Sequence, residues 1–326
     1  MDVLRPDLFA PEVHWADSFP AREGRDRELE ILAHLFPLPW REETFGTSGS
    51  PRWRAHPLAS ELLTLVGRTR LLDIAAALRV LGAGPPSTVA SAEWRIPMQG
   101  SLRRASHYEH AWSECLVASL LGPVGEVVWQ PPRRGPGPRA DYLVQHRSGR
   151  FVAEVKRIRV GRTTQALHDR RHRERFGQTG FLLDETERRE CLERDAPRLY
   201  RRVRHAARQL AASADEAMNQ APGEGRVPGV LFLDVDANPY LLNLRPRLRR
   251  WMRLYEWASS IDGIVGFNYR GQEGRAGTVA EVIYARGQPR SLDAMEAIFF
   301  AYPLCEQKQI HVAGLPEPPC TFPIGL

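Results

Sequence analysis

Residues 107–156 limit the fold more than any other part of the chain. Residues 107–121 carry apolar side chains at helical spacing and stop at Gly122 and Pro123, a pair that ends helices. Residues 126–130 form a short β-prone run, and residues 131–139, PPRRGPGPR, read as a loop. Residues 142–145 and 150–155 then read as two short strands joined by Arg147-Ser148-Gly149, which makes a hairpin. The flanking sequence continues in the same idiom. Residues 28–35 and 59–81 have helical spacing, a charged helical insertion covers about 165–194, and a long helix runs from about 198 to 219. An apolar β run at 230–235 precedes a helix near 247–259, strand candidates at 263–269 and 280–285, and an amphipathic stretch at 292–300. Residues 46–51 and 82–87 read as loops. The order of elements predicts an α/β fold with a central mixed β-sheet flanked by helices. Three regions follow: a mainly helical N-terminal region at 1–100, a core at 101–300 with a basic helical insertion at 160–195, and a Pro-rich tail at 301–326.

With 43% hydrophobic and 26% charged residues, the chain can bury a core of its own. No apolar run is long enough to cross a bilayer, and the first residues lack the pattern of a secretory leader. Cys115, Cys191, Cys305 and Cys320 are scattered without a CxxC pair, which disfavours a disulfide framework and a structural zinc site. The expected compartment is the cytoplasm, with no membrane partner. The formal net charge is +6, and of 45 basic residues only Lys156 and Lys308 are lysines. In so arginine-rich a chain, a retained lysine marks a position that needs a compact amine rather than a planar, permanently charged guanidinium.

One of those lysines sits in the hairpin. The second strand reads Phe151-Val152-Ala153-Glu154-Val155-Lys156, so Glu154 and Lys156, two apart, leave the same face of the sheet. Asp141 immediately precedes the first strand, thirteen residues before Glu154. Folding the hairpin at its turn predicts that Asp141 and Glu154 converge, with Lys156 beside them. Two carboxylates and an amine at one sheet end suit a hard divalent cation. The dipeptide spacing alone is weak: with 39 acidic residues in 326, an acid two before one of two lysines arises by chance about one time in four. An exposed Glu–Lys pair would then be worth little. The hairpin and Asp141 supply the rest of the signal.

The segment from Glu114 to Lys156 resembles the PD-(D/E)XK nuclease superfamily, and its spacing is similar to that of archaeal Holliday-junction resolvases. The residues that carry the resemblance are Glu114 on the helix, Gly125, Val127 and Val128 in the first strand, Asp141, and Glu154-Val155-Lys156. The position before Asp141, proline in the family's motif, is Ala140. The resemblance implies a restriction-endonuclease-like core. It further implies that Asp141, Glu154 and the Val155 carbonyl ligate Mg²⁺ or Mn²⁺, and that Lys156 positions the attacking water. Glu114 shares an apolar face with Val117, Ala118 and Leu121, and Glu109 shares one with Trp112 and Leu116. Glu114, favoured because its spacing to Gly125 and the following strand fits the family, would complete a second or outer-sphere metal position. The implied function is hydrolysis of phosphodiester bonds, in DNA rather than RNA.

Basic residues elsewhere fit a polyanionic partner. Arg157, Arg159 and Arg162 follow the motif, and Arg170, Arg171, Arg173 and Arg175 extend the run. Arg201, Arg204 and Arg208 repeat at helical spacing, and Arg249, Arg250 and Arg253 lie among Trp251, Tyr255 and Trp257. Such interleaving suits phosphate contact with base stacking, although a solvated helix face would look the same. Gln209 reads as a surface residue that can also reach the site. His107 and His110 lack a third ligand for zinc, and Asp234 and Asp236, at the end of an apolar strand, read as structural. Two other functions remain open: an inactive nucleic-acid-binding or effector-assembly protein that keeps the nuclease fold, and an effector whose residues 1–100 bind a regulatory partner or signal that gates the nuclease. A homo-oligomer is also open.

Overall fold

The structure, a computed structural model, describes residues 19–45, 56–80, 92–122, 124–130, 137–146, 149–162, 164–167, 170, 185–220, 226–235, 245–272 and 275–285. The loops expected at 46–51 and 82–87, most of the Pro-rich loop, much of the basic insertion, the amphipathic stretch at 292–300 and the tail lie outside the described residues, as do Asp236, Cys305 and Cys320.

The helices are α1 (Arg25–Leu35), α2 (Leu38–Phe45), α3 (Leu58–Leu63), α4 (Leu65–Val80), α5 (Ala92–Arg103), α6 (Ala105–Leu121), α7 (Glu185–Gln220) and α8 (Arg245–Leu254). A 3₁₀ turn covers Glu256–Ser260. The strands are β1 (Glu126–Trp129), β2 (Tyr142–His146), β3 (Gly149–Arg157), β4 (Gly229–Asp234), β5 (Gly263–Gln272) and β6 (Arg275–Ala285). Among the described residues they make one mixed sheet in the order β1-β2-β3-β4-β5-β6. β1 and β2 run antiparallel. β3, β4 and β5 run parallel, with Glu154 opposite Leu231, Lys156 opposite Leu233, and Phe232 opposite Val265. An α/β fold with a mixed sheet flanked by helices is therefore the architecture.

The parallel pairings explain β4. Its residues, GVLFLD, are buried throughout, as expected of a parallel strand covered on both faces. α7 packs on β3 and β4 and on the 3₁₀ turn. A side chain at Gly229 would collide with the Ser260 carbonyl, 2.2 Å from an added Cβ, so only glycine lets β4 begin there.

Of the elements that differ from their expected extents, three have a local cause. The helix expected at 59–81 is two, because Thr64 takes an extended conformation and its Oγ1 accepts the Gly67 amide at 2.9 Å, the capping bond of a new helix. The long helix begins at Glu185 and passes through Pro197. Proline ordinarily starts or ends a helix, yet Pro197 is exposed, where its ring meets solvent and only one amide donor is lost. α8 stops at Leu254 because Tyr255 is extended, with φ −107° and ψ 128°.

The chain divides into two compact units. One takes residues 1–132, 141–145 and 268–279; the other takes 133–140, 146–267 and 280–326. In the first, α6 packs on α4 and α5, with the Arg70 guanidinium 4.3 Å above the Trp112 ring, so residues on both sides of position 100 share one core. Among the described residues no helix is long and apolar enough to cross a membrane.

Candidate catalytic site and basic surface

In the second unit, β3 places Glu154 and Lys156 side by side. The Lys156 ammonium donates directly to Glu154 Oε1. The pair is buried: Glu154 is 0% and Lys156 8% exposed. The exposed, weakly contributing pair that the dipeptide spacing also allows is thus excluded. Parallel pairing with the apolar β4 is the cause, since Leu231 and Leu233 lie opposite the two charged residues. Val155 and Arg157 project to the other face, where Arg157 donates to Asp234 Oδ2 at 2.6 Å. Asp234 is fully buried and acts structurally, as its position at a strand end suggested.

Helix α7 grips the chain just ahead of Asp141. Gln209 Nε2 donates to the Arg139 carbonyl at 2.8 Å, and Ser213 Oγ accepts the Ala140 amide at 2.7 Å. Residues 209 and 213 are one helical turn apart, so one face of α7 holds two consecutive residues of the loop. Ser213 was missed in the sequence. Its only signal there is its i+4 spacing from Gln209, which says nothing without the loop that it touches.

In the first unit, Asp141 is half-buried, and its carbonyl accepts the Gln130 amide at 2.7 Å, closing the β1–β2 ladder. Glu114 lies on the buried side of α6, 9% exposed, as its apolar neighbours predicted, whereas Glu109 is half-exposed. Glu114 Oε1 sits 3.1 Å from His110 Nε2, one turn earlier, and its main-chain carbonyl accepts the Tyr142 hydroxyl at 2.8 Å. Burial, and next the Glu114 charge, push the neighbouring Cys115 thiol well above its usual range, so this cysteine is a core residue and not a nucleophile.

The donors expected for a cation are all oxygens: the Asp141, Glu154 and Glu114 carboxylates and the Val155 carbonyl. That set fits Mg²⁺ or Mn²⁺ in kind. Among the described residues no three His, Cys, Asp or Glu side chains are grouped as a metal cluster, and the positive charge standing against Glu154 is that of Lys156.

No family model matches the chain. No curated protein and no solved structure matches it either. Functional assignment rests on the residues themselves.

The arginines separate into two groups. Arg157 is held by Asp234, and Arg249 Nε donates to the Ile283 carbonyl at 3.3 Å, so the fold already employs both. Arg201, Arg204 and Arg208 are exposed along α7, Arg250 and Arg253 are exposed on α8, and none of these five makes an ion pair among the described residues. Arg159 is also exposed. Arg171, Arg173 and Arg175 lie outside the described residues.

Proposed function

We propose that the protein is a Mg²⁺- or Mn²⁺-dependent nuclease of the PD-(D/E)XK type, with a restriction-endonuclease-like core, that hydrolyses phosphodiester bonds in DNA in preference to RNA. The observation that carries this reading is the buried Glu154–Lys156 pair on β3. Taking two charges out of water costs several kcal/mol per ion, and an apolar pair of similar volume often serves a core as well or better. The largely buried Arg157–Asp234 pair shows that burial of charge alone does not mark a site in this fold. What sets Glu154 and Lys156 apart is that the pair uses one of only two lysines in a chain of 45 basic residues, where a tunable amine is kept instead of a guanidinium. Asp141, one residue before β2, and Glu154 would hold the cation with the Val155 carbonyl, and Glu114 would serve an outer position. Bound there, a divalent ion would lower the pKa of a water and neutralise charge on the phosphate. Lys156 would orient that water and share the negative charge that builds on the phosphoryl oxygens. Gln209 and Ser213 would fix the strand entry from which Asp141 projects.

The test is incubation with labelled single- and double-stranded DNA and RNA in Mg²⁺, Mn²⁺, Ca²⁺ or excess EDTA. Mg²⁺ and Mn²⁺ are expected to support cleavage of DNA, Ca²⁺ to permit binding with poor turnover, and EDTA to abolish the reaction. Full activity in EDTA would remove the metal from the reading.

A second function has one observation in its favour. Lys156 already balances Glu154, which suits a nucleic-acid-binding protein that keeps the fold without turnover. Binding of DNA with no cleavage in either active metal would select it. Both functions need the free arginines. Arg204→Ala is expected to weaken DNA binding and to lower the slope of log affinity against log salt by about one unit, the share of a single neutralised phosphate. A slope unchanged in titrations at several salt concentrations would return Arg204 to the solvated surface.

A further inference from the structure

The second unit carries a cluster of four aromatic rings at the junction of α7, α8 and the 3₁₀ turn. Tyr200 on α7 lies at the centre. Its ring meets Trp251 edge-on at 5.2 Å, and Tyr255 and Trp257 at 5.5 Å each. Tyr255 and Trp257 stack on one another, 5.6 Å apart and 16° from parallel. The Trp257 indole N–H donates to the Tyr200 hydroxyl at 3.2 Å. Edge contacts and this hydrogen bond fix the ring planes in advance. The cluster is not core: α8 buries Leu248 and Met252 instead, Tyr255 is 41% exposed, and its neighbour Leu254 is 63% exposed.

Arginines neighbour the rings in sequence on their own elements, and one carboxylate, that of Glu256, stands between Tyr255 and Trp257. Arg201 follows Tyr200 directly and Arg204 lies one turn beyond it; Arg250 precedes Trp251, and Arg253 stands two residues before Tyr255. All four arginines are exposed and make no ion pair among the described residues. An exposed ring, Tyr255, preset by three half-buried ones and carried on elements that also bear exposed guanidinium groups, is complementary to a chain of alternating flat bases and phosphates. The base must be unpaired, because in a duplex each face is already covered by its neighbours.

We infer that Tyr200, Trp251, Tyr255 and Trp257 form a stacking platform for a nucleobase of single-stranded DNA, with Arg201, Arg204, Arg250 and Arg253 receiving the flanking phosphates. Tyr255 is the contacting ring and the other three hold it in place. This deepens the nucleic-acid reading above and rests on it. It gives the protein a preference for substrates with an unpaired segment, such as a flap, overhang or bubble.

The experiment uses the full chain in EDTA, so that binding is measured without cleavage. Fluorescence anisotropy follows an oligothymidylate of about 15 nucleotides, within the span of single-strand sites, and a duplex of equal length. Tyr255→Ala is expected to weaken binding of the single strand by on the order of tenfold, and of the duplex by much less. Tyr255→Phe keeps the ring and is expected to bind as the unaltered protein does. Tyr255→Leu keeps apolar bulk without a π face and is expected to bind as poorly as the alanine variant. Equal losses on both DNA forms, full binding by Tyr255→Leu, or no loss in Tyr255→Ala each overturn the platform while leaving the nuclease reading standing. Tighter binding of the matching oligouridylate overturns the assignment to DNA. Failure of the unaltered protein to bind any DNA removes the nucleic-acid reading and the platform together.

Discussion

Lys156→Arg is expected to reduce cleavage by about a hundredfold or more while nucleic-acid binding survives. The substitution keeps the charge, and in a chain with 45 basic residues and two lysines it is the replacement that composition alone would favour. At this position it is not conservative. Lys156 is 8% exposed and in direct contact with a fully buried Glu154, so a larger planar head must displace its neighbours or swing away from the site. A displacement of about one ångström in a group that orients the reactants costs on the order of a hundredfold. Guanidinium also holds its protons far more tightly than an ammonium. A purely structural partner for Glu154 predicts the opposite result, because arginine pairs with carboxylates at least as well as lysine does. Single-turnover cleavage at saturating enzyme, binding in EDTA and a thermal melt separate the cases. Normal cleavage by a folded Lys156→Arg protein would make Lys156 a charge partner only.

The elements that were legible in the sequence have strong local causes. β2 and β3 were visible because alternating and β-branched residues flank an Arg-Ser-Gly stretch that reads as a turn, of which residues 147 and 148 lie outside the described residues. α6 was visible because its apolar spacing runs unbroken to Gly122. Boundaries that depend on a single side chain were not. Thr64 splits a helix by capping the next one, and Pro197 passes unnoticed through α7 because it faces water. The charged dipeptide Glu154-x-Lys156 was legible, but its burial was not, since that depends on Leu231 and Leu233 arriving opposite it from a strand some 75 residues later. The same limit applies to contacts between distant segments. Arg157 looked free for phosphate until β4 brought Asp234 beside it, and Ser213 carried no signal until α7 was seen to hold the loop before Asp141. Tyr200, more than fifty residues from Trp251, is absent from any local reading of the aromatic–arginine run that it organises.

The same burial makes Glu154 the site's most sensitive residue, and its two roles can be separated. Glu154→Gln is expected to abolish most cleavage and also to destabilise the fold by about 3–5 kcal/mol, because it leaves the Lys156 ammonium buried without its counter-charge. Adding Lys156→Met removes that stranded charge and fills the volume with apolar atoms against Leu231 and Leu233. The double variant is expected to recover part of the lost stability, because the stranded charge is gone, while the new buried amide, left without its partner, keeps about 1–3 kcal/mol of the loss. Cleavage is expected to stay absent, because neither the carboxylate nor the ammonium remains. Urea unfolding midpoints of the three proteins, together with their cleavage rates, test both halves. A double variant no more stable than Glu154→Gln would show that the buried pair is not the source of the instability. A Glu154→Gln protein that still cleaves would withdraw the carboxylate from the cation site. Recovery of stability without recovery of activity is the pattern expected if the two charges are kept on β3 for the reaction and at the expense of the fold.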